Sequence, residues 1–491
     1  MWSRNNPGPL VTMWGQISML RSLCWGCGAL IAGVLCGLLC LILPWPVVCV
    51  LVVLASIVAA VFGARGWALC VLMLCVTQIG QKDPAFQVTG LNANIPVILV
   101  IPLLIGPLLL VVRQVRHRDR TAQSKNLLIP IAFLVTYSCL TVFWNRDNVD
   151  QNLMYTFLLA ANALTLLAAF EFADSPRMCR MIFWCLAASG LLLCVQVLLS
   201  PYIALKLSPV TITEGLSMDF SRKMDAGSRC SGIYLDPLQT SATLGCLAMV
   251  VFALLTMQKK FPGRVLLLAL FILYVYAMGL TLSRVGAWGL FLMLNLFLIF
   301  THRTKLGLAL RMGAFNVLIL ALLFTASYVN ENIMFPQLNA SDRGIRVLTM
   351  DNDVTGGSLD NRLILWRAGF EELGNQSQEI IGLGAGGYLL HVQRLHAHNL
   401  YLGLLFDYGL IGVAFIVWLF VKLASAFFSG WGLRGEDRLI YAAGAALVLG
   451  IAFMSLTFLS HYFPFVWAML GVGYAAMLSA RGNATATGSA T

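Results

Sequence analysis

Long apolar runs alternate with short polar connectors along this chain. Runs of about 17–25 residues, long enough to cross a bilayer as helix, recur from residue 23 to residue 480. They fall at 23–44, 46–63, 67–80, 95–113, 126–144, 152–172, 180–201, 237–257, 264–282, 285–301, 312–328, 399–424, 438–459 and 462–480; the third is shorter, with a re-entrant or broken helix as the alternative to a full span. The expected fold class is an all-α polytopic integral membrane protein with about 14 transmembrane helices. A membrane β-barrel would show short alternating segments instead. Pro44 and Pro46 separate the first two runs, and Pro96, Pro102 and Pro107 are placed to kink the fourth. The opening stretch, with Arg4 and Arg21, is followed at once by a further span and carries no clear cleavage site, so it reads as a retained first helix.

Lysine and arginine collect in alternate connectors: Arg65; Arg113 to Lys125; Arg177 and Arg180; Lys259, Lys260 and Arg264; Arg303, Lys305 and Arg311; Arg434 and Arg438. The positive-inside tendency puts these connectors, and both termini, in the cytoplasm. The others then face outward: 81–94, 145–151, 202–236, the turn at Ser283–Arg284, 329–398 and 460–462. The two longest polar stretches thus share the outer side. The expected organisation is a cytoplasmic N-terminus over 1–22, eleven spans over 23–328 with an outer loop at 202–236, a large outer loop at 329–398, three spans over 399–480, and a disordered tail over 481–491.

Composition agrees. Hydrophobic residues make up 59% of the chain and charged ones 11%, against roughly a quarter charged in soluble domains. The net charge of +11 sits in short connectors, so topology accounts for it and nucleic acid is not expected as a partner. All thirteen cysteines precede residue 247, mostly inside apolar runs, and read as buried free thiols.

Candidate chemistry lies on the outer side. Arg284, in GLTLSRVGAWG, stands between two spans with barely a turn to separate them; arginine at a membrane is costly, and snorkelling of its stem is the plain alternative. Arg229 lies in a basic outer loop with Lys206, Arg222 and Lys223, which suits a diphosphate; pairing with Asp219, Asp225 or Glu214 is the alternative. In the large loop, Leu363, Trp366 and Phe370 share one face of a short amphipathic helix, with Trp366 expected as an interfacial anchor. Gly382–Gly387 has the composition of a phosphate loop but no strand–turn–helix context, and reads as a tight turn. It leads to His391, His396 and His398, three of the six histidines within eight residues. A general base is the favoured role; ordinary loop histidines are the plain alternative, and no carboxylate completes a metal set.

SRVGAWG, NRLILWRAGF, IIGLGAGGY and HAHNLYLGLLFDYGLIG, in that order, resemble the O-antigen ligase and polymerase superfamily of bacterial envelopes, over roughly residues 229–412. The resemblance implies a metal-independent, inverting glycosyltransferase of the glycosyltransferase C-like kind, without cofactor, in the bacterial inner membrane and with a periplasmic site. Its donor would be a glycan on undecaprenyl diphosphate. Its acceptor would be lipid A-core in a ligase, or a second lipid-linked glycan in a polymerase; membrane lipid and a chain-length regulator protein are the other expected partners. By motif position His398 corresponds to the base, Arg284 to a diphosphate-binding arginine and Arg229 to a second. His396, Asn399, Arg362, Arg394 and Tyr401 complete the expected substrate-binding set, and His396 competes with His398 as base. The span count leans toward the polymerase. A flippase for lipid-linked oligosaccharide would put ionisable groups near the midplane instead of at one face, and a structural assembly partner would not need His398.

Overall fold

The computed structural model describes residues 86–87, 94–95, 121–144, 149–172, 175–207, 237–301, 305–329, 358–375, 378–388, 391–392, 397–428, 433–456 and 463–486. Among these, helix dominates. A two-residue antiparallel ladder pairs Phe86 with Ile95 and Gln87 with Asn94. The helices are α1 (Thr121–Leu140), α2 (Val149–Phe172), α3 (Pro176–Leu207), α4 (Pro237–Met257), α5 (Phe261–Leu280), α6 (Arg284–Thr301), α7 (Lys305–Val329), α8 (Ser358–Asn375), α9 (Leu400–Phe428), α10 (Gly435–Ser455) and α11 (Pro464–Ala486). Seven of them are long and apolar enough to cross a membrane among the described residues. The chain is thus a multi-pass helical membrane protein. The expected spans at 23–44, 46–63, 67–80 and 95–113 lie outside the described residues.

Helix α4 is the centre of the bundle, buried almost throughout and packed on α3, α5, α6 and α10. Lipid gives helices no hydrophobic drive to associate, so close packing at small residues must supply it. Here it does: a Cβ on Gly286 of α6 would collide with Ser241 of α4, and those on Gly444 (α10) and Gly473 (α11) would each collide with the other's carbonyl. Helix α7, by contrast, is largely exposed, with Leu310, Val317, Leu320 and Phe324 facing outward as lipid-facing residues should.

The bundle has two unlike ends. At one, arginines pair locally: Arg180 with Glu436 at 2.9 Å, Arg438 Nε with the Phe300 carbonyl at 2.6 Å, and Arg264 Nε with the Gln258 carbonyl at 2.6 Å. At the other end lie the α5–α6 turn, the start of α4, the end of α1, the start of α9 and the end of α10. Of the expected outer connectors, the described turn at Ser283–Arg284 and residues 397–398 lie at this second end.

Helix α9 departs most from the expected unbroken span at 399–424. It is interrupted at Gly409, whose backbone has φ 60° and ψ −152°. The piece after the break, residues 410–428, still has about the length a bilayer requires.

Candidate functional site

The segment before His398 is held by α8. Trp366 Nε1 donates to the carbonyl of Ala397 at 2.7 Å. Trp366 therefore points inward at the histidine segment, and the expected anchoring into lipid is corrected: its indole N–H is committed to the protein. The residue after His398 is held as firmly. Asn399 Oδ1 accepts from the backbone N–H groups of Tyr401 (2.9 Å) and Leu402 (3.1 Å), an N-cap for α9. Its Nδ2 donates to the carbonyl of Leu456 at 2.9 Å, just past the end of α10. Tyr401 Oη adds a bond to the Ala452 carbonyl at 2.9 Å. Asn399 and Tyr401 thus position the site by tying α9 to α10.

Between these clamps His398 adopts φ 48°. Left-handed backbone is uncommon outside glycine and persists where surroundings enforce it, often at functional positions. Only one other non-glycine residue among those described shares it, Leu282 with φ 51°. Leu282 belongs to the α5–α6 turn that presents Arg284. One strained position is His398 itself, and the other lies two residues before Arg284.

Contacts along the helices place Arg284 and His398 at the same end. Arg284 opens α6, and five residues on Gly289 abuts the Met454 side chain, so closely that a Cβ there would overlap it. Met454 is two residues before Leu456, whose carbonyl receives Asn399. The half-buried Arg284 follows Ser283, whose carbonyl accepts from Ser241 Oγ at 3.3 Å.

The glycine segment does something a tight-turn reading misses. The break at Gly409 releases carbonyls of α9 that an intact helix would use. The glycine segment takes them: Leu383 N–H bonds to the Phe406 carbonyl (2.8 Å) and Gly384 N–H to that of Asp407 (2.9 Å). Leu410 N–H returns a bond to the Glu379 carbonyl at 3.1 Å. Glycine is required because a Cβ at Gly382 would strike the backbone of residues 407–409, and one at Gly409 the carbonyl of Ile380. These N–H groups are spent on α9, which removes them from any phosphate cradle.

The same segment is fastened to α1 and to the short helical turn that follows it. Tyr137 Oη donates to the Ile381 carbonyl (2.7 Å), Trp144 Nε1 to that of Gly382 (3.2 Å), and Ala385 N–H to Thr141 Oγ1 (3.1 Å). Asp407, 2% exposed, accepts the Tyr388 N–H at 3.0 Å. Tyr388 stacks on Phe406 with centroids 4.8 Å apart and donates its hydroxyl to the Leu365 carbonyl at 2.9 Å. Burial, then the charge of Asp407, push this phenol above the ordinary tyrosine range.

Of the other expected residues, Arg362 is half-buried on α8, where burial lowers its guanidinium pKa. His391 faces Glu372 of α8, with Nδ1 4.0 Å from Oε1. Arg229, Arg394 and His396 lie outside the described residues. Sequence reasoning passed over Asp407, although a carboxylate inside an apolar run is a readable signal.

Fold and site together define a multi-pass helical membrane protein with strained, clamped polar residues gathered at one end of the bundle. Residues 269–417 match the family model described as O-antigen ligase, which bears out the resemblance read from the motifs. The matched stretch contains Arg284, α8, the glycine segment, His398 and the break in α9. It points to surface-polysaccharide assembly of the O-antigen ligase or polymerase type, and so to an enzyme. No curated protein matches the chain significantly.

Proposed function

We propose that the chain is a periplasm-facing inverting glycosyltransferase of the bacterial inner membrane. It transfers a glycan from undecaprenyl diphosphate to a sugar hydroxyl during surface-polysaccharide assembly. The observation that carries this reading is the clamped, left-handed His398 at the same bundle end as Arg284, within the matched stretch.

His398 takes the proton from the acceptor hydroxyl. The freed oxygen attacks the anomeric carbon from the face opposite the leaving group. The carbon–oxygen bond to the diphosphate breaks, and undecaprenyl diphosphate departs with the electron pair. Negative charge develops on the departing diphosphate, and Arg284, joined by Arg229, stabilises it; preorganised cations in a partly dry site are effective at this. Arg362, Arg394 and His396 are the further substrate contacts in this reading. No metal or cofactor takes part. A chain-length regulator and membrane lipid are its proposed partners.

We favour a second lipid-linked repeat unit as acceptor, which makes the protein a polymerase. The alternative is ligation to lipid A-core.

The test is to express His398→Ala and Arg284→Ala at equal membrane levels and separate the extracted glycans on a gel. Variants that leave single lipid-linked repeats support polymerisation. Variants that accumulate long polymer on undecaprenyl diphosphate above bare core support ligation. Wild-type glycan profiles from both variants refute the catalytic assignment and bring transport or scaffolding forward.

A further inference from the structure

Helix α8 turns Leu365, Gly369 and Leu373 inward, yet its outer face is not uniformly polar. Leu363 and Phe370, seven residues apart and so on one stripe, are 49% and 51% exposed. Ile380 at 65% and Leu410 at 55% continue the apolar surface. These four belong to one junction. The rings of Phe370 and Phe406 meet edge to face with centroids 5.2 Å apart, and Phe406 lies four residues before Leu410. Leu410 N–H bonds to the Glu379 carbonyl, next to Ile380.

Continuity identifies the occupant. Leu410 opens the membrane-crossing piece of α9, and Val417 and Val421 further along it are also exposed, as lipid-facing residues are. The α8 stripe therefore extends the exposed apolar face of α9, which is long and apolar enough to cross a membrane. Exposed Arg367 and Glu371, bonded at 2.9 Å, flank the stripe on α8 and suit the headgroup side.

We propose that α8 lies on the outer leaflet, with Leu363, Phe370 and Ile380 in contact with lipid. The consequence concerns depth: α8 holds Ala397 through Trp366, so the bilayer surface sets the height of His398 above the membrane. This surface is independent of the transfer reaction, and its test needs no activity assay.

The test places a benzophenone amino acid at Leu363, Phe370 or Ile380 of the full chain reconstituted in phosphatidylglycerol–phosphatidylethanolamine vesicles. Val417 serves as the lipid-facing reference and Lys259, exposed in a connector at the opposite end, as the aqueous one. After irradiation, intact-mass spectra report lipid adducts, on samples first shown to elute as folded protein. The expected result is lipid adduct at all three positions at yields comparable to Val417, with loss of adduct at Lys259. Labelling at Val417 alone overturns the proposal, as does labelling of Ile380 without the two α8 positions. A cross-link to a second copy at Leu363 or Phe370 overturns it too, and assigns the stripe to a protein interface.

Discussion

Trp366 and Ala397, thirty-one residues apart, are joined by a 2.7 Å hydrogen bond from the indole Nε1 to the backbone carbonyl. This contact makes α8 the support of the histidine segment. Trp366→Phe keeps the ring and removes the donor, leaving a buried carbonyl unsatisfied at a cost of about 1–3 kcal/mol. The expected outcome is a lower unfolding temperature in detergent and slower glycan transfer at unchanged expression. Activity equal to wild type would remove α8 from the positioning of His398.

Asn399 separates capping from bridging. Asn399→Ser retains a cap for α9 but releases the Leu456 carbonyl, whereas Asn399→Ala loses both. Loss of the cap alone costs about 1 kcal/mol. Thermal unfolding should rank wild type above Ser and Ser above Ala; equal Ser and Ala values would mean the tie to α10 dominates.

Two glycines with nearly the same φ make a controlled pair. Gly409 (φ 60°) packs against the Ile380 carbonyl, while Gly435 (φ 63°) has open space where a Cβ would go. Gly435→Ala should cost only the left-handed penalty of about 1–2 kcal/mol. Gly409→Ala adds a backbone collision and should abolish accumulation of folded protein, read by size-exclusion of the detergent extract. Similar behaviour of both variants would contradict the docked glycine segment.

Tyr388 predicts a response to alkali. Its phenol is raised by burial and by Asp407, so folding favours the protonated form. The stabilisation is complete below the ordinary tyrosine pKa near 10 and is lost as pH climbs above it, toward the raised folded value. Tyr388→Phe should therefore lose stability less steeply than wild type between about pH 9 and 11, the range that brackets that ordinary value. Parallel curves would show that the Tyr388 hydroxyl is not protected in the folded protein.

Apolar periodicity alone determined the class of fold and most of the described helices, because a bilayer imposes nearly the same length and composition on every span. The run at 237–257 coincides with α4 to the residue. The alternation of basic connectors likewise put Arg284 and His398 at one end. Those are local properties of charge and length. Tertiary structure alone decided what those residues do to one another. The indole of Trp366 turns inward because the Ala397 carbonyl needs a donor, which a helical wheel does not record. The glycine segment fills a break in α9 because Gly409 releases carbonyls that only a distant stretch, free of Cβ atoms, can approach. Asp407, passed over in the sequence, is the acceptor that fixes Tyr388. Each of these depends on contacts between segments far apart in the chain, and burial makes each buried polar group find its partner.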